Sequence, residues 1–198
     1  NRTLDLLGRA ADIDPIDPNW FADSTAVLIG PILGEISFAN IRRIRDHYDG
    51  FFFCDPQGLI RGAAPSGRIH HEKVPGIWET LELFDIVKPN ELEAKVLTGV
   101  DCRVDPYKAA KIIYGAGPRV VIVNLAELGS VIFDGNEFYD IPPYTNINLL
   151  DSTGAGDTYM AGFTFEFLRT KDLRKAGCFA SSTSSIMIDH TAPEFPMT

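Results

Sequence analysis

Cysteine is scarce in this 198-residue chain: Cys54, Cys102 and Cys178 are far apart, odd in number, and form no Cys-x-x-Cys pair. Neither a zinc site nor a disulfide framework is indicated, and a reducing cytosol fits such usage. No apolar run approaches the ~20 residues that span a bilayer. The first residues lack the basic and apolar regions of a secretory signal, so a cytoplasmic protein is expected. Positive charge is in deficit, with 18 Lys and Arg against 27 Asp and Glu and a net charge of −9. That balance argues against a broad nucleic-acid or membrane-binding surface. It leaves room for a nucleotide, because a helix N-terminus or a metal ion binds phosphate on an acidic protein. No internal repeat or low-complexity tract stands out. The content of 45% hydrophobic and 23% charged residues is that of a soluble globular chain, and its length suits one domain with a sizeable core.

Short apolar runs alternate with periodic ones. Residues 1–19 are polar and broken by Pro15 and Pro18, and do not read as the beginning of a domain. Ala26 to Gly30, Phe51 to Asp55, Phe84 to Val87 and Arg119 to Asn124 read as buried strands. Helices are expected over Glu35 to His47, Trp78 to Leu83, Asn90 to Leu97, Pro106 to Tyr114, 155–168 and from Asp172 to Ile188. Asn90 is placed as an N-cap and Gly99 just past that helix end. Gln57 to Pro75 reads as a long loop, and Asp134-Gly135-Asn136 as the turn of a hairpin between 130–133 and 137–141. A further strand is expected over 146–150. The alternation predicts an α/β fold: a mostly parallel sheet with helices on both faces and an antiparallel hairpin near one edge.

The chain is organised around Asp151-Ser152-Thr153-Gly154-Ala155-Gly156-Asp157, at the junction of a loop and a helix. A helix N-terminus exposes unpaired N–H groups and partial positive charge, and glycine there lets an anion approach the backbone. Asp157 falls in the first turn, where a phosphate would repel it and where it suits a general base acting on a hydroxyl. Taken alone, the same string also reads as a capped tight turn. As a whole it resembles the Asp-Thr-x-Gly-Ala-Gly-Asp signature of the PfkB (ribokinase-like) carbohydrate kinases, with Ser152 where Thr is also common. Asn90-Glu91-Leu92-Glu93 resembles that family's Asn-x-x-Glu motif. Asn90 and Glu93 share a face in a first helical turn, either as holders of a hydrated Mg²⁺ or as a reciprocal capping box. Residues 124–129 lie where the family has Thr-x-Gly-x-x-Gly; here Asn124 replaces Thr and Ala126 the first Gly, while Gly129 stands. All three motifs follow predicted strands, and ligands of open α/β sheets bind beyond the carboxyl ends of strands.

The resemblance covers the chain from about Ala26 onward. It implies a ribokinase-like kinase domain over 1–198 that transfers a phosphoryl group from ATP to a sugar, polyol or nucleoside hydroxyl. In that reading Asp157 is the base, and the backbone of Gly154, Ala155 and Gly156 stabilises the phosphoryl charge. Asn90 and Glu93 organise Mg²⁺, Gly129 and Asn124 line the nucleotide site, His190 lies by the adenine, and Asp151 and Thr153 mark a monovalent-cation loop. A homodimer is compatible with it. Family members carry an additional N-terminal strand and a small lid that are not found here, and acceptor identity resides largely there. Asp55-Pro56-Gln57-Gly58-Leu59-Ile60-Arg61 resembles an inositol-kinase-like branch and points towards a polyol. Two alternatives stand beside it: a vitamin kinase acting on pyridoxal or a hydroxymethylpyrimidine, which the Asn90/Glu93 pair disfavours, and a non-catalytic kinase-fold protein that binds a metabolite. His70-His71-Glu72 reads as a solvated loop rather than a metal site, and Lys171, Arg174 and Lys175 as a solvated helix face.

Overall fold

The computed structural model describes residues 4–13, 15–144 and 149–190. Its main sheet has six strands: β1 (Ala26–Ile29), β2 (Phe51–Cys54), β5 (Ile86–Val87), β6 (Val120–Asn124), β7 (Ser130–Phe133) and β8 (Phe138–Ile141), with β3 (Arg61–Ala63) and β4 (Ile69–His71) set apart as a separate pair. Their spatial order is β1-β2-β5-β6-β7-β8. The first four run parallel, with Phe53 opposite Ile86 and Val87 opposite Val121; β7 pairs antiparallel with β6, and β8 antiparallel with β7. The expected α/β class, parallel core and edge hairpin are therefore those observed.

Successive residues of a strand face opposite sides of a sheet, and here both sides are covered. Phe52 turns towards α1 (Phe38–His47), α2 (Ile77–Leu81), α3 (Glu91–Thr98) and α4 (Pro106–Tyr114), where Ile44, Leu81, Leu97 and Ile113 are buried with it. Phe53 turns the other way, towards α5 (Ala155–Thr170) and α6 (Leu173–Ile188), among Met160, Phe163, Ala176 and Ala180. Each large side chain withdrawn from water contributes roughly 1.5–3 kcal/mol, so a one-residue slip of β2 would exchange both layers at once.

Several boundaries differ from the sequence expectation for visible reasons. The first helix begins at Phe38, not Glu35, because Ser37 caps it while the Glu35 carboxylate accepts from the N–H groups of Ile32 and Leu33. Residues 57–75 are not a structureless loop: they hold a turn over Gln57–Leu59 and the β3–β4 hairpin. Leu4, Asp5 and Leu6 join that hairpin through the Ile69 N–H to Leu4 O and Leu6 N–H to Gly67 O bonds. His70 and His71 are thus strand residues. Lys171, read as part of a solvated face, lies over the Phe51 ring at 4.3 Å. The strand expected over 146–150 falls mostly on 145–148, outside the described residues, and Leu149 and Leu150 are not in a strand. No helix among the described residues is long and apolar enough to cross a membrane.

Candidate active site

The parallel strands end on one rim, where the chain turns polar. Asp55 follows β2 and Lys88 follows β5; their backbone N–H groups still donate to Ile29 O and Cys54 O, so both are held in strand register. Their side chains form an ion pair, Lys88 Nζ to Asp55 Oδ2, at 2.7 Å, with both nearly excluded from solvent. Burial alone would favour a neutral lysine. Asp55, Glu93 and Asp157 overcome it and hold the ammonium above its usual proton affinity.

The glycine turn closes over this pair. Gly154 caps α5 with φ 82, a left-handed conformation that costs an L side chain about 1 kcal/mol or more. A Cβ placed on Gly156 would stand 3.5 Å from Lys88 Nζ and 3.9 Å from Asp55 Oδ2. Asp157 is in the first turn of α5. Its carboxyl is held above the ordinary range by burial first and by Asp55 second, against the opposing pull of Lys88 and Arg61. That direction is useful for a base, since a raised carboxylate takes a proton more readily. Of the turn's N–H groups, that of Ala155 is engaged by Ser152 O at 3.3 Å.

Asn90 and Glu93 form a complete capping box. Asn90 Oδ1 accepts from the N–H groups of Leu92 and Glu93, and Glu93 accepts from Asn90 N at 2.9 Å and Asn90 Nδ2 at 2.6 Å. Glu93 is 1% exposed. Its carboxyl is pushed up to about 7 by burial and by Asp55, with Lys88 opposing. The next motif adjoins this one, as Asn90 and Asn124 form a parallel bridge and Asn124 N–H donates to Pro89 O at 3.0 Å. Asn124 Oδ1 caps the N–H of Ala126, which takes φ 54, unusual for a residue with a side chain. Gly129 has φ 88, and a Cβ there would meet Ile141 O at 2.1 Å. Its requirement comes from the neighbouring backbone.

Asp157 and Glu93 are therefore linked electrostatically through Asp55 and Lys88, while Asn90 bonds Glu93 and Asn124 bridges Asn90. Asp151, Thr153 and His190 bond within the glycine turn and at the end of α6. Asp151 Oδ1 accepts from the Thr153 N–H, and the N–H groups of Leu150 and Asp151 bond Ile188 O at the end of α6. His190 Nδ1 lies 2.8 Å from Ile186 O in that last turn. No group of three His, Cys, Asp or Glu residues among those described is arranged to hold a metal ion.

Sequence reasoning missed Lys88 altogether and read Asp55 only as part of the polyol-like string. The available signal was a charged residue directly after a run of buried strand residues. Arg61 was likewise read only within that string; from β3 it acts electrostatically on both Glu93 and Asp157, and its Nε donates to His71 Nε2 at 3.4 Å. A cavity of about 400 Å³, lined by Ser24, Arg45, Gly50, Asp85 and Arg119, opens at the opposite, amino-terminal ends of the strands. It is remote from the convergent groups, and Asp85 in its wall is engaged by the buried Phe52 N–H.

Known proteins resemble this chain in sequence and fold. The sequence profile of the "pfkB family carbohydrate kinase" matches residues 63–198. A ribokinase of Haemophilus influenzae is 31% identical over 112 residues, 56% of this chain and 36% of that protein. A cytidine kinase of Thermococcus kodakarensis is 33% identical over 99 residues, 49% of this chain and 34% of that protein. The structure of a pyrophosphate-dependent kinase in the ribokinase family, complexed with a pyrophosphate analog and myo-inositol, superposes with a TM-score of 0.83 at 28% identity, over 97% of this chain and 68% of that one. The matches to the two curated relatives thus span about a third of each relative's length. With its glycine-turn motif and Asn-x-x-Glu box inside the matched region, the chain belongs to the pfkB family of carbohydrate kinases.

Proposed function

We propose that the protein transfers a phosphoryl group from ATP to a hydroxyl of a small sugar, polyol or nucleoside. The observation that carries this reading is the solvent-reachable Asp157 in the first turn of α5, raised in proton affinity, beside a left-handed glycine turn and a buried cation. The acceptor oxygen forms a bond to the γ-phosphorus as the bond from that phosphorus to the bridging oxygen breaks. The electron pair of the broken bond remains on the departing diphosphate, and the hydroxyl proton passes to Asp157. The backbone of the Gly154–Gly156 turn, apart from the Ala155 N–H held by Ser152 O, offers donors to the phosphoryl oxygens. Such stabilisation and in-line positioning supply most of the catalysis of phosphoryl transfer. Asn124 and Gly129 belong to the loop assigned to the donor, and His190 to its adenine end.

Mg²⁺ is expected of such a kinase, where it would neutralise donor phosphates. Asn90 and Glu93 do not fit it as they stand, because both Glu93 oxygens are turned onto Asn90 and the residue is 1% exposed. The Asp151 carboxylate, in the loop expected to take a monovalent cation, likewise serves the Thr153 N–H.

A second donor, inorganic pyrophosphate, is favoured by one observation: the loop at 124–129 departs from the nucleotide-contacting pattern at Asn124 and Ala126. The similar pyrophosphate-dependent kinase complexed with myo-inositol supports both that donor and a polyol acceptor. The test is turnover with ATP or pyrophosphate against a panel of ribose, myo-inositol and cytidine, in parent and Asp157→Asn protein. Donor consumption that is independent of every acceptor and of Asp157 would refute the proposal.

A further inference from the structure

We propose that Lys88 is a further catalytic residue, the fixed cation that meets the phosphoryl group seated on the Gly154–Gly156 turn. This inference rests on the phosphotransfer reading above and adds a group that no sequence motif marked.

Three observations converge on it. Lys88 stands one residue beyond β5 and Asp55 one residue beyond β2, so the parallel pairing of those strands brings the two side chains together on the ligand-binding rim. The Lys88 side chain is 3% exposed and its Nζ is 2.7 Å from Asp55 Oδ2. That ammonium is also the group nearest to the missing Cβ of Gly156, at 3.5 Å. It therefore lies against the segment of backbone offered to an anion, and glycine keeps the space above it clear.

The local charge explains why a cation is needed there. Asp55, Glu93 and Asp157 all act on Lys88, while Arg61 is the other cation acting on Glu93 and Asp157. A phosphoryl group approaching a carboxylate base is repelled unless positive charge lies between them or beside them. A buried ion pair contributes little stability relative to apolar residues of similar volume, so stability alone gives no reason for one at this point of the rim. As the acceptor oxygen bonds to phosphorus and the leaving oxygen departs with its electron pair, negative charge spreads over the three remaining phosphoryl oxygens. A preorganised cation aimed at that charge is worth roughly 10²–10³ in turnover. The proton goes to Asp157, and Lys88 keeps its own throughout.

The test compares Lys88→Met, Lys88→Arg and the double variant Lys88→Met/Asp55→Asn with the parent. The double variant removes both charges and so avoids leaving Asp55 buried alone. Expected are a kcat lower by about 10²–10³ in Lys88→Met and in the double variant, an acceptor KM within about threefold of the parent, and a smaller loss in Lys88→Arg. Recovery of the parent's kcat in the double variant would show a purely structural ion pair and overturn the assignment. Calorimetric binding of inorganic pyrophosphate gives a readout without turnover: it should weaken at least tenfold, about 1.4 kcal/mol, in the double variant. Pyrophosphate binding equal in parent and double variant would also overturn it. Absence of turnover by the parent against the whole panel counts instead against the phosphotransfer reading, which separates the two failures.

Discussion

Gly129 offers a quantitative test of whether the 124–129 loop is shaped by the fold or by its ligand. The residue adopts φ 88 and ψ −138, and its N–H bonds Ala126 O at 3.1 Å while its O accepts from Leu125 N at 2.8 Å. Alanine here meets two costs. The backbone conformation is close to one reserved for glycine, at about 1–3 kcal/mol. The new methyl would lie 2.1 Å from Ile141 O, 2.9 Å from Pro143 N and 3.0 Å from Pro142 C. All three are backbone atoms, so no side chain can turn aside. The end of β8 must move, disturbing the Ser130–Ile141 pairing, at a further 1–3 kcal/mol or about that. We expect Gly129→Ala to lose about 4 kcal/mol, lowering the midpoint of thermal unfolding by roughly 8–16 °C in a chain of this size. Urea unfolding and calorimetry without any ligand measure it directly. A loss below about 1 kcal/mol would refute the reasoning and return Gly129 to a role in ligand approach alone. The converse substitution, Ala126→Gly, relieves φ 54 and should stabilise by up to about 1 kcal/mol after the entropy cost of glycine.

Asp157→Asn should reduce turnover by about 10²–10⁴ while thermal stability stays within about 1 kcal/mol of the parent; parent-like turnover in a chemistry-limited assay would remove Asp157 from the base role. For Glu93, the folded carboxyl is raised to about 7 from 4.5, so the contribution of this group to stability falls as pH rises from its unfolded value through the folded one. Glu93→Gln abolishes that loss, and its stability relative to the parent should improve on the order of 2 kcal/mol between pH 5 and pH 8; a difference that does not change with pH would contradict the burial argument. Asp85 accepts from the buried Phe52 N–H at 2.9 Å and faces Arg45 and Arg119. Asp85→Ala should therefore cost about 2–4 kcal/mol in urea unfolding, and Asp85→Asn markedly less; equal losses would show that the carboxamide cannot take over that bond.

Much of this protein was legible in its sequence because the determining forces are local. Pro106 and Gly115 bracket α4, Asn90 and Gly99 bracket α3, and Asp134-Gly135-Asn136 turns β7 into β8, each through backbone conformations that neighbouring residues dictate. The Asp-to-Asp glycine string pointed to the family and to Asp157 for the same reason: its meaning is carried by residues adjacent in the chain. Tertiary structure decided the rest. Between 57 and 75 the weak apolar content gave no period to read, and the β3–β4 hairpin is extended by backbone bonds with Leu4 and Leu6 from far away in the sequence. The Asn90/Glu93 pair was compatible with both a cap and a cation, and only the geometry showed both Glu93 oxygens spent on Asn90. Lys88 and Asp55 are separated by a hairpin and a helix; Lys88 belongs to no local motif, and Asp55 only to the polyol-like string. Parallel pairing of β2 with β5 brings them to 2.7 Å and sets them beneath Gly156, because a charge pair in a sheet is determined by which strands become neighbours, and that choice is made by the burial of whole strands rather than by the residues at their ends.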